Sequence, residues 1–188
     1  ILDNITSIGN SAFYGCTGLT SIKIPDSVTS IGDRAFYGCI GLTSVIIGNG
    51  VTTLSGFYFR DNKNLKNIVV GDGVTSIGDS AFYNCSGLTS ATIGNGVTSI
   101  GDRAFYGCTG LTKVNITDIS AWCNISFSNC YSNPLLYSHN LYINDKIIND
   151  LIIPDGVANI GDYAFYNCSG LTSIKIPDSV TSIGDRAF

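Results

Sequence analysis

Apolar and polar positions alternate in a pattern that repeats every 23 residues along most of the chain. Each unit opens on an aliphatic residue, and these residues are Leu19, Leu42, Leu65, Leu88, Leu111 and, after an irregular stretch, Ile148 and Leu171. Self-similarity at a period of roughly 20–50 residues is typical of stacked coils, none of which buries its apolar side alone. The sequence therefore predicts one elongated domain over residues 1–188, with regular coils in 1–110 and 148–188 and an irregular coil with an insertion in 111–147.

The first half of a coil, taken from residues 19–41, predicts a short strand. Ile22 and Ile24 alternate with polar residues, which is the period of a strand that is buried on one face. The following Pro25-Asp26-Ser27 is turn chemistry, and other coils have glycine and asparagine or aspartate there. The strand is therefore expected to end at this turn.

The second half of the coil predicts a turn that carries a buried aromatic residue. Asp33 is placed to cap a single helical turn that contains Phe36. Stacking converts this position into a column, which consists of Phe13, Phe36, Phe59, Phe82, Phe105, Phe165 and Phe188. We therefore predict a β-rich solenoid of 23-residue coils, with a short strand on one face and a turn or a single helical turn on the other.

The repeated run LTSIxIPDSVTSIGDRAFYGCTG resembles the BspA-like, or Treponema-type, leucine-rich repeat. The resemblance covers almost the whole chain and implies a leucine-rich-repeat solenoid with a strand-lined concave face. Members of this family are mostly cell-surface or secreted proteins of bacteria and protists, associated with adhesion and with binding of host proteins. The resemblance therefore implies an extracellular or cell-surface location, and it brings no catalytic residues with it.

Composition narrows the classes of partner. Of the 188 residues, 44% are apolar and 13% are charged, which is typical of a folded chain. The net charge of −4 argues against a nucleic-acid partner, which needs a basic face. No apolar run is long enough to cross a bilayer, so no membrane insertion is expected. Neither end carries an atypical capping unit, and we expect a fragment of a longer chain with flanking repeats or domains.

The seven cysteines are interpreted as structural. One repeat position is occupied by Cys16, Cys39, Cys85, Cys108 and Cys168. Asn62 fills the same position in a divergent unit, which indicates a small buried residue in a turn. Phe127 and Cys130 keep the usual spacing of three, so Cys130 is expected to join the column, whereas Cys123 is expected to be buried near Trp122. Disulfides between column neighbours remain an alternative in a secreted protein.

Residues with catalytic or metal-binding potential also have simpler interpretations. His139, the single histidine, lacks a third orienting group and is expected on a surface loop. One aspartate column is interpreted as helix caps and a second as turn residues, rather than as calcium ligands. The sequence therefore predicts no enzyme and no cofactor. The first column comprises Asp33, Asp79, Asp102, Asp162 and Asp185, and the second Asp26, Asp72, Asp118, Asp155 and Asp178.

A tyrosine follows the buried phenylalanine in most coils. The tyrosine column consists of Tyr14, Tyr37, Tyr83, Tyr106 and Tyr166, with Arg60 in the divergent unit. An exposed tyrosine stripe is typical of a protein-binding surface. The alternative, which we favour, is that each ring packs over the next coil.

Binding by a solenoid usually uses variable outward strand positions and insertions. The outward strand column comprises Lys23, Ile46, Val69, Thr92, Asn115, Ile152 and Lys175. It changes in character from coil to coil, and Ile46 with Val69 is expected to form a small apolar patch. These residues are the first candidates for a protein-binding site.

The break in the repeat supplies the second candidates. Leu111 to Ile148 spans 37 positions, so about 14 extra residues are expected after Cys130. The candidates among them are Tyr131, Tyr137, His139 and Tyr142. The run LYINDKII is interpreted as a hairpin around Asn144-Asp145. The insertion either binds a partner or covers the core, and the divergent unit over 55–60 is a third, weaker candidate.

Two classes of function remain after these arguments. One is an adhesion or interaction module that binds a host or matrix protein through the strand face or the insertion. The other is a passive stalk that spaces neighbouring domains. A threonine column also suggests ice binding, although a single column is weak support; its members are Thr6, Thr29, Thr52, Thr75, Thr98 and Thr181.

Overall fold

The computed structural model describes residues 1–55 and 58–188 as a stack of coils with a strand on each of two sides. The first strand of each coil has three or four residues, and these strands are β2 (Ser21–Ile24), β4 (Ser44–Ile47), β6 (Asn67–Val70), β8 (Ser90–Thr92), β10 (Lys113–Ile116), β12 (Leu141–Ile143), β14 (Asp150–Ile152) and β16 (Ser173–Lys175). The second strand has two residues, and these strands are β1 (Ser7–Ile8), β3 (Ser30–Ile31), β5 (Thr53–Leu54), β7 (Ser76–Ile77), β9 (Ser99–Ile100), β11 (Ser126–Phe127), β15 (Asn159–Ile160) and β17 (Ser182–Ile183). The remaining elements are α1 (Ile119–Cys123), α2 (Leu135–Ser138) and β13 (Lys146–Ile147).

Strands of successive coils pair in parallel, 23 residues apart, as Val45 pairs with Ile68. The first strands form a seven-stranded sheet in the order β13-β12-β10-β8-β6-β4-β2, and β11-β9-β7-β5 form a second sheet. The pairs β1-β3, β14-β16 and β15-β17 complete the ladders. Near-identical coils stack best when equivalent residues lie side by side, because every coil then packs against the same complementary surface of its neighbour. The predicted β-rich solenoid of 23-residue coils is confirmed.

The phenylalanine column forms the centre of the core. Rings of Phe36 and Phe59 stack at 5.4 Å between centroids, and those of Phe82 and Phe105 at 5.1 Å. These spacings fit the distance of about 4.8 Å between neighbouring strands. All four rings are fully buried. The expected aromatic column is therefore confirmed over these coils.

The turn after the second strand is not helical. Arg34 and Arg103 have φ angles of 53° and 52°, in the left-handed region that a right-handed helical turn does not use. The N–H of Asp102 donates to Oδ1 of Asp79 in the previous coil at 2.7 Å. This carboxylate therefore joins neighbouring coils, and the prediction that Asp33 and its equivalents cap a helical turn is wrong.

Other polar columns make the same kind of link between coils. Thr98 donates its hydroxyl to the carbonyl of Thr75 at 3.1 Å, and the N–H of Asn95 donates to Oδ1 of Asp72 at 2.8 Å. The coils approach so closely here that a Cβ added to Gly96 would lie 1.8 Å from the carbonyl oxygen of Asp72. Glycine is required at this turn for that reason. Because these threonine hydroxyls bond within the stack, the ice-binding alternative loses support.

The irregular coil begins with a turn of the stack that is longer than a regular coil, because it contains α1. Ser126 pairs with Ser99, 27 positions earlier, whereas Ser99 pairs with Ser76, 23 positions earlier. Phe127 therefore lies beside Ile100 in the second-strand ladder. The prediction that Phe127 and Cys130 continue the phenylalanine and cysteine columns is wrong.

The register shows which residues fill those columns instead. First strands on either side of the irregular coil also pair 27 positions apart, as Val114 pairs with Leu141. The same offset puts Ser132 at the phenylalanine position and Leu135 at the cysteine position, and both are fully buried. Cys123 is fully buried in α1 with Trp122, as expected.

The other extra residues form a hairpin. β12 joins the first sheet, and β13 pairs with it antiparallel. The two turn residues Asn144 and Asp145 have φ angles of 50° and 65°, as a two-residue type I′ turn requires. The predicted hairpin is confirmed. The extra residues do not all follow Cys130, however, because four of them enter earlier, around α1.

A polar junction attaches the following coil to the irregular one. In a regular coil the alanine carbonyl accepts from a phenylalanine N–H of the previous coil, as Ala104 accepts from Phe82 at 2.9 Å. The carbonyl of Ala164 instead accepts from Nε1–H of Trp122 at 2.8 Å and from the amide of Asn133 at 3.2 Å. Two buried side chains thus replace the backbone donor that the irregular coil lacks.

Candidate binding surface

Outward-facing strand residues form one row across the first sheet. Parallel pairing places neighbours side by side, and the row consists of Lys23, Ile46, Val69, Thr92, Asn115 and Tyr142. The first five belong to the predicted strand column, whereas the sixth belongs to the predicted insertion. The structure therefore brings one insertion candidate, Tyr142, into the same row as five of the strand candidates.

The centre of this strand row is apolar and exposed. Ile46 and Val69 lie directly side by side and are 40% and 37% exposed. Their chain neighbours Val45 and Ile47 are buried, as alternation in a half-buried strand requires. The exposed pair is the small apolar patch that the sequence indicated.

Asn115 differs from its expected role, since it does not face solvent. It is 6% exposed, and its Oδ1 accepts the N–H of Asp145 at 2.8 Å. Lys113 forms an ion pair with the Asp145 carboxylate at 2.7 Å and lies 5.1 Å from the ring centroid of Tyr142. Asn115 therefore anchors the hairpin instead of contacting a partner, and Tyr142 is held against the sheet beside it.

The far end of the predicted column lies in a separate pair of strands. Ile152 pairs with Lys175 in the β14-β16 ladder, and both residues are exposed. Ile147, which pairs with Tyr142 in the hairpin, is also 46% exposed. Lys175 is thus not joined by strand pairing to Lys23 and the rest of the row.

The other insertion residues lie on a different side of the coils. Tyr131 packs edge-on against Tyr106 at 5.2 Å. The hydroxyl of Tyr137 accepts the N–H of Gly107 at 2.9 Å, and burial raises the pKa of this tyrosine. His139 is exposed, as expected, and ends α2 with a left-handed φ of 56°. These residues extend the turn side rather than the strand row.

Four rings of the tyrosine column stack in two pairs. Tyr83 and Tyr106 stack at 5.4 Å, and the guanidinium of Arg60 lies 4.5 Å from the ring centroid of Tyr83. Tyr14 and Tyr37 stack at 5.6 Å. In these two pairs each ring lies on the ring of the next coil, which supports the packing interpretation.

The divergent unit is described only in part. Gly56 and Phe57 lie outside the described residues. Tyr58 takes the place of the usual alanine, is buried, and donates its hydroxyl to the carbonyl of Ile31. This tyrosine is therefore a core residue and not a surface contact.

Hydrogen bonding explains which residue types occupy the cysteine column. Cys85 donates Sγ–H to the carbonyl of Phe59 at 3.0 Å, and Asn62 uses its amide in the same way on Phe36 at 3.3 Å. Cysteine and asparagine alternate at this position because both donate to the phenylalanine carbonyl one coil before. All seven cysteines are free thiols.

Burial lowers the reactivity of three of the thiols, those of Cys108, Cys123 and Cys168. Desolvation raises the pKa of Cys108 and of Cys123 to about 12, and that of Cys168 to about 11. The thiolate is the nucleophile and the metal ligand, and it is scarce at neutral pH in such sites. The three thiols are therefore expected to be mostly protonated at neutral pH, in agreement with a structural role.

A metal-binding group of side chains and a membrane-spanning helix are two other features that would indicate a function. Within residues 1–55 and 58–188, no three His, Cys, Asp or Glu side chains are grouped so that they could hold a metal ion. No helix in the described part of the chain has the length and apolar character needed to cross a membrane.

Comparison with known proteins identifies similar repeats. The sequence profile described as BspA type leucine rich repeat region matches residues 5–133 and 138–188, in 6 copies. The solved leucine-rich repeat protein of T. pallidum is similar over 97% of this chain and 69% of its own, with 25% identity and a TM-score of 0.56. No curated protein matches the chain.

Two further solved structures are more distantly similar. One is a leucine-rich cell surface protein of Faecalibacterium prausnitzii, with 24% identity over 93% of this chain and 52% of its own, and a TM-score of 0.44. The other is the pneumococcal vaccine antigen PcpA, with 17% identity over 98% of this chain and 47% of its own, and a TM-score of 0.40. The chain spans about half the length of these two proteins.

Proposed function

The chain belongs to the BspA-type leucine-rich repeat family, and from this premise we propose that it is a non-enzymatic protein-binding module of a cell-surface or secreted protein. The module is a single leucine-rich-repeat domain over residues 1–188, and its partner is a host or matrix protein. The observation that carries the proposal is the strand row that ends on the hairpin. Location and partner class follow from what is expected of the family.

The strand row has the composition of a small protein interface. Ile46 and Val69 present apolar surface at its centre, with Lys23 and Thr92 on either side. Tyr142 adds an aromatic ring, a residue type enriched at the centre of interfaces. An apolar centre with a polar rim suits the side chains of another protein, and the net charge of −4 opposes binding to nucleic acid.

The hairpin makes the surface rigid. Lys113, Asn115 and Asp145 fix it by an ion pair and a hydrogen bond. A contact surface that is already ordered loses less conformational entropy on binding. A defined partner, rather than any apolar protein, is therefore expected.

The test is binding of the chain to immobilised extracellular-matrix and plasma proteins, with single-residue variants. Val69→Asp places a charge in the apolar centre and is expected to weaken saturable binding by about tenfold or more. Thr109→Asp adds the same charge at an exposed turn position and serves as the matched control. Deleting residues 131–145 would be uninformative, because Leu135 and Leu141 belong to the core.

Two results would contradict the proposal. One is the absence of saturable binding to any of these proteins, which would favour the passive stalk. The other is binding that Val69→Asp and Tyr142→Ala leave unchanged, which would place the contact elsewhere. Circular dichroism of each variant confirms that a lost interaction does not reflect unfolding.

A further inference from the structure

Positive charge is concentrated in one coil of a chain that is acidic overall. Residues 60–66 carry Arg60, Lys63 and Lys66, whereas the residues 23 positions before and 23 positions after each of them are uncharged. Residues 34–71 contain four basic side chains and one acidic side chain, a net charge of +3, whereas the whole chain has −4. This coil therefore departs from the repeat in charge, and in the opposite sense to the rest of the chain.

Two of these cations have no carboxylate beside them. Lys63 and Lys66 are exposed, and neither forms an ion pair among the residues that the structure describes. Arg60 differs, because its Nε pairs with the carboxylate of Asp61 at 3.4 Å. The one carboxylate of residues 34–71 thus compensates Arg60 and leaves the two ammonium groups for another partner.

The two lysines lie at the corner where the coil enters the first sheet. Lys63 lies in the turn before β6, and Lys66 comes directly before that strand. A Cβ added to Gly87 would lie 3.3 Å from Nζ of Lys66, so this ammonium group reaches over the turn of the next coil. The residue before Gly87 is Ser86, which occupies the position of Lys63 one coil later. Lys63 and Lys66 are called the basic corner.

Apolar surface lies beside the basic corner. Val69 follows Lys66 by three residues, or about 10 Å of extended strand, and forms the exposed centre of the strand row with Ile46. In the turn, Ile40 is 54% exposed, and the amide of Asn64 donates to its carbonyl at 2.7 Å. The basic corner and the apolar centre of the strand row are therefore close enough for one short peptide segment to contact both.

We propose that the partner segment bound by the strand row is acidic, with carboxylates on the basic corner and an apolar side chain on Ile46 and Val69. The inference rests on the proposed function, because it names the chemistry of the same partner. Complementary charge steers association and selects among partners. The apolar pair identifies the occupant as protein, since a sulfated polysaccharide would pair with the ammonium groups but has no apolar side chain for Ile46 and Val69.

The probe is a fluorescent synthetic peptide of three glutamates, one glycine and three leucines, in that order. Fluorescence anisotropy with the intact chain is expected to show saturable binding in about 0.1 M NaCl. In about 1 M NaCl, where charges are screened beyond roughly 3 Å, affinity is expected to fall about tenfold. One control peptide has glutamine in place of glutamate and the other has serine in place of leucine, and each is expected to bind about tenfold more weakly.

Two double variants test the basic corner. Lys63→Gln with Lys66→Gln is expected to weaken binding about tenfold, since an exposed ion pair is worth about threefold in affinity. Lys146→Gln with Lys175→Gln is the matched control, because it removes the same charge from exposed lysines outside the strand row. Lys146 pairs with Ile143 in the hairpin, and Lys175 belongs to the separate β14-β16 ladder. This control is expected to bind as the parent does.

Four results would overturn the inference. They are failure of the glutamate peptide to bind at millimolar concentration, equal affinity of the glutamine peptide, and equal losses in the two double variants. The fourth is equal affinity of the serine peptide, which would indicate a site for polyanions such as sulfated polysaccharides. The peptide comparisons use the unaltered protein, and circular dichroism confirms the fold of the variants.

Failure of this inference can be distinguished from failure of the proposed function. A matrix or plasma protein whose binding is weakened by Val69→Asp, but not by Lys63→Gln with Lys66→Gln, would support the proposed function and overturn the acidic partner. Absence of binding to any of those proteins would contradict the proposed function, while the peptide comparisons would still decide on the charge preference of the surface.

Discussion

Replacing Asn62 with cysteine is expected to stabilise the protein. Asn62 is fully buried and donates its amide to the carbonyl of Phe36 at 3.3 Å. The equivalent Cys85 makes the same donation through its thiol. Asn62 also carries an amide oxygen, Oδ1, which is buried and has no hydrogen-bond partner among residues 1–55 and 58–188. Cysteine keeps the useful donor and removes the unpaired acceptor.

The size of the effect follows from that acceptor. A buried polar group without a partner costs about 1–3 kcal/mol. The free energy of unfolding of Asn62→Cys is therefore expected to rise by about 1–3 kcal/mol, since the two side chains are of similar size. For a chain of this length the melting temperature rises by about 2–4 °C per kcal/mol. Urea unfolding followed by circular dichroism under reducing conditions measures the difference.

The reverse substitution provides the matched control. Cys85→Asn places an amide oxygen at a fully buried site and is expected to lower the free energy of unfolding by about 1–3 kcal/mol. If Asn62→Cys were neutral or destabilising while Cys85→Asn were tolerated, the unpaired oxygen would not be what distinguishes the two coils.

Three further predictions follow from the core. Phe82→Ala is expected to lower the free energy of unfolding by about 3–5 kcal/mol in urea titrations, because its ring is fully buried within the aromatic column. The free energy of unfolding is expected to fall as pH rises above about 9. Burial raises the pKa of Cys108 from 9.0 to about 12, so the unfolded chain loses this thiol proton at a lower pH than the folded chain. The slope of the free energy of unfolding against pH, measured between about pH 9 and 11, should be smaller in Cys108→Ala. Trp122→Ala removes the indole donor to Ala164 and is expected to separate unfolding of residues 148–188 from the rest in calorimetry, whereas a single unchanged transition would contradict this.

The regular part of the fold could be predicted because the repeat determines strand register. Once Ile46 and Val69 are assigned to equivalent positions, stacking puts them side by side. The same logic identified the aromatic column, because a residue type that recurs every 23 positions occupies the same position in each coil. Periodicity also separated outward from inward strand positions, because only the inward ones keep their apolar character.

The irregular coil could not be predicted in detail, because its motifs are too short to determine register. Phe127 and Cys130 imitate the spacing of two columns, but the 27-residue offset puts Phe127 beside Ile100. That offset depends on α1, whose five residues pack through Trp122. Asn115 looked exposed for a related reason, since its burial depends on a hairpin that lies 30 positions further along the chain.

Binding specificity in such a stack has to come from groups that neighbouring coils leave unused. In regular coils the hydroxyl of Thr98, the carboxylate of Asp79 and the thiol of Cys85 each bond to the backbone or carbonyl of an adjacent coil. A partner that met only those columns would find the same engaged groups on any protein with this repeat. The strand row instead offers side chains that change from coil to coil. A specific partner is therefore expected to contact the strand row, and Val69→Asp is expected to weaken its binding.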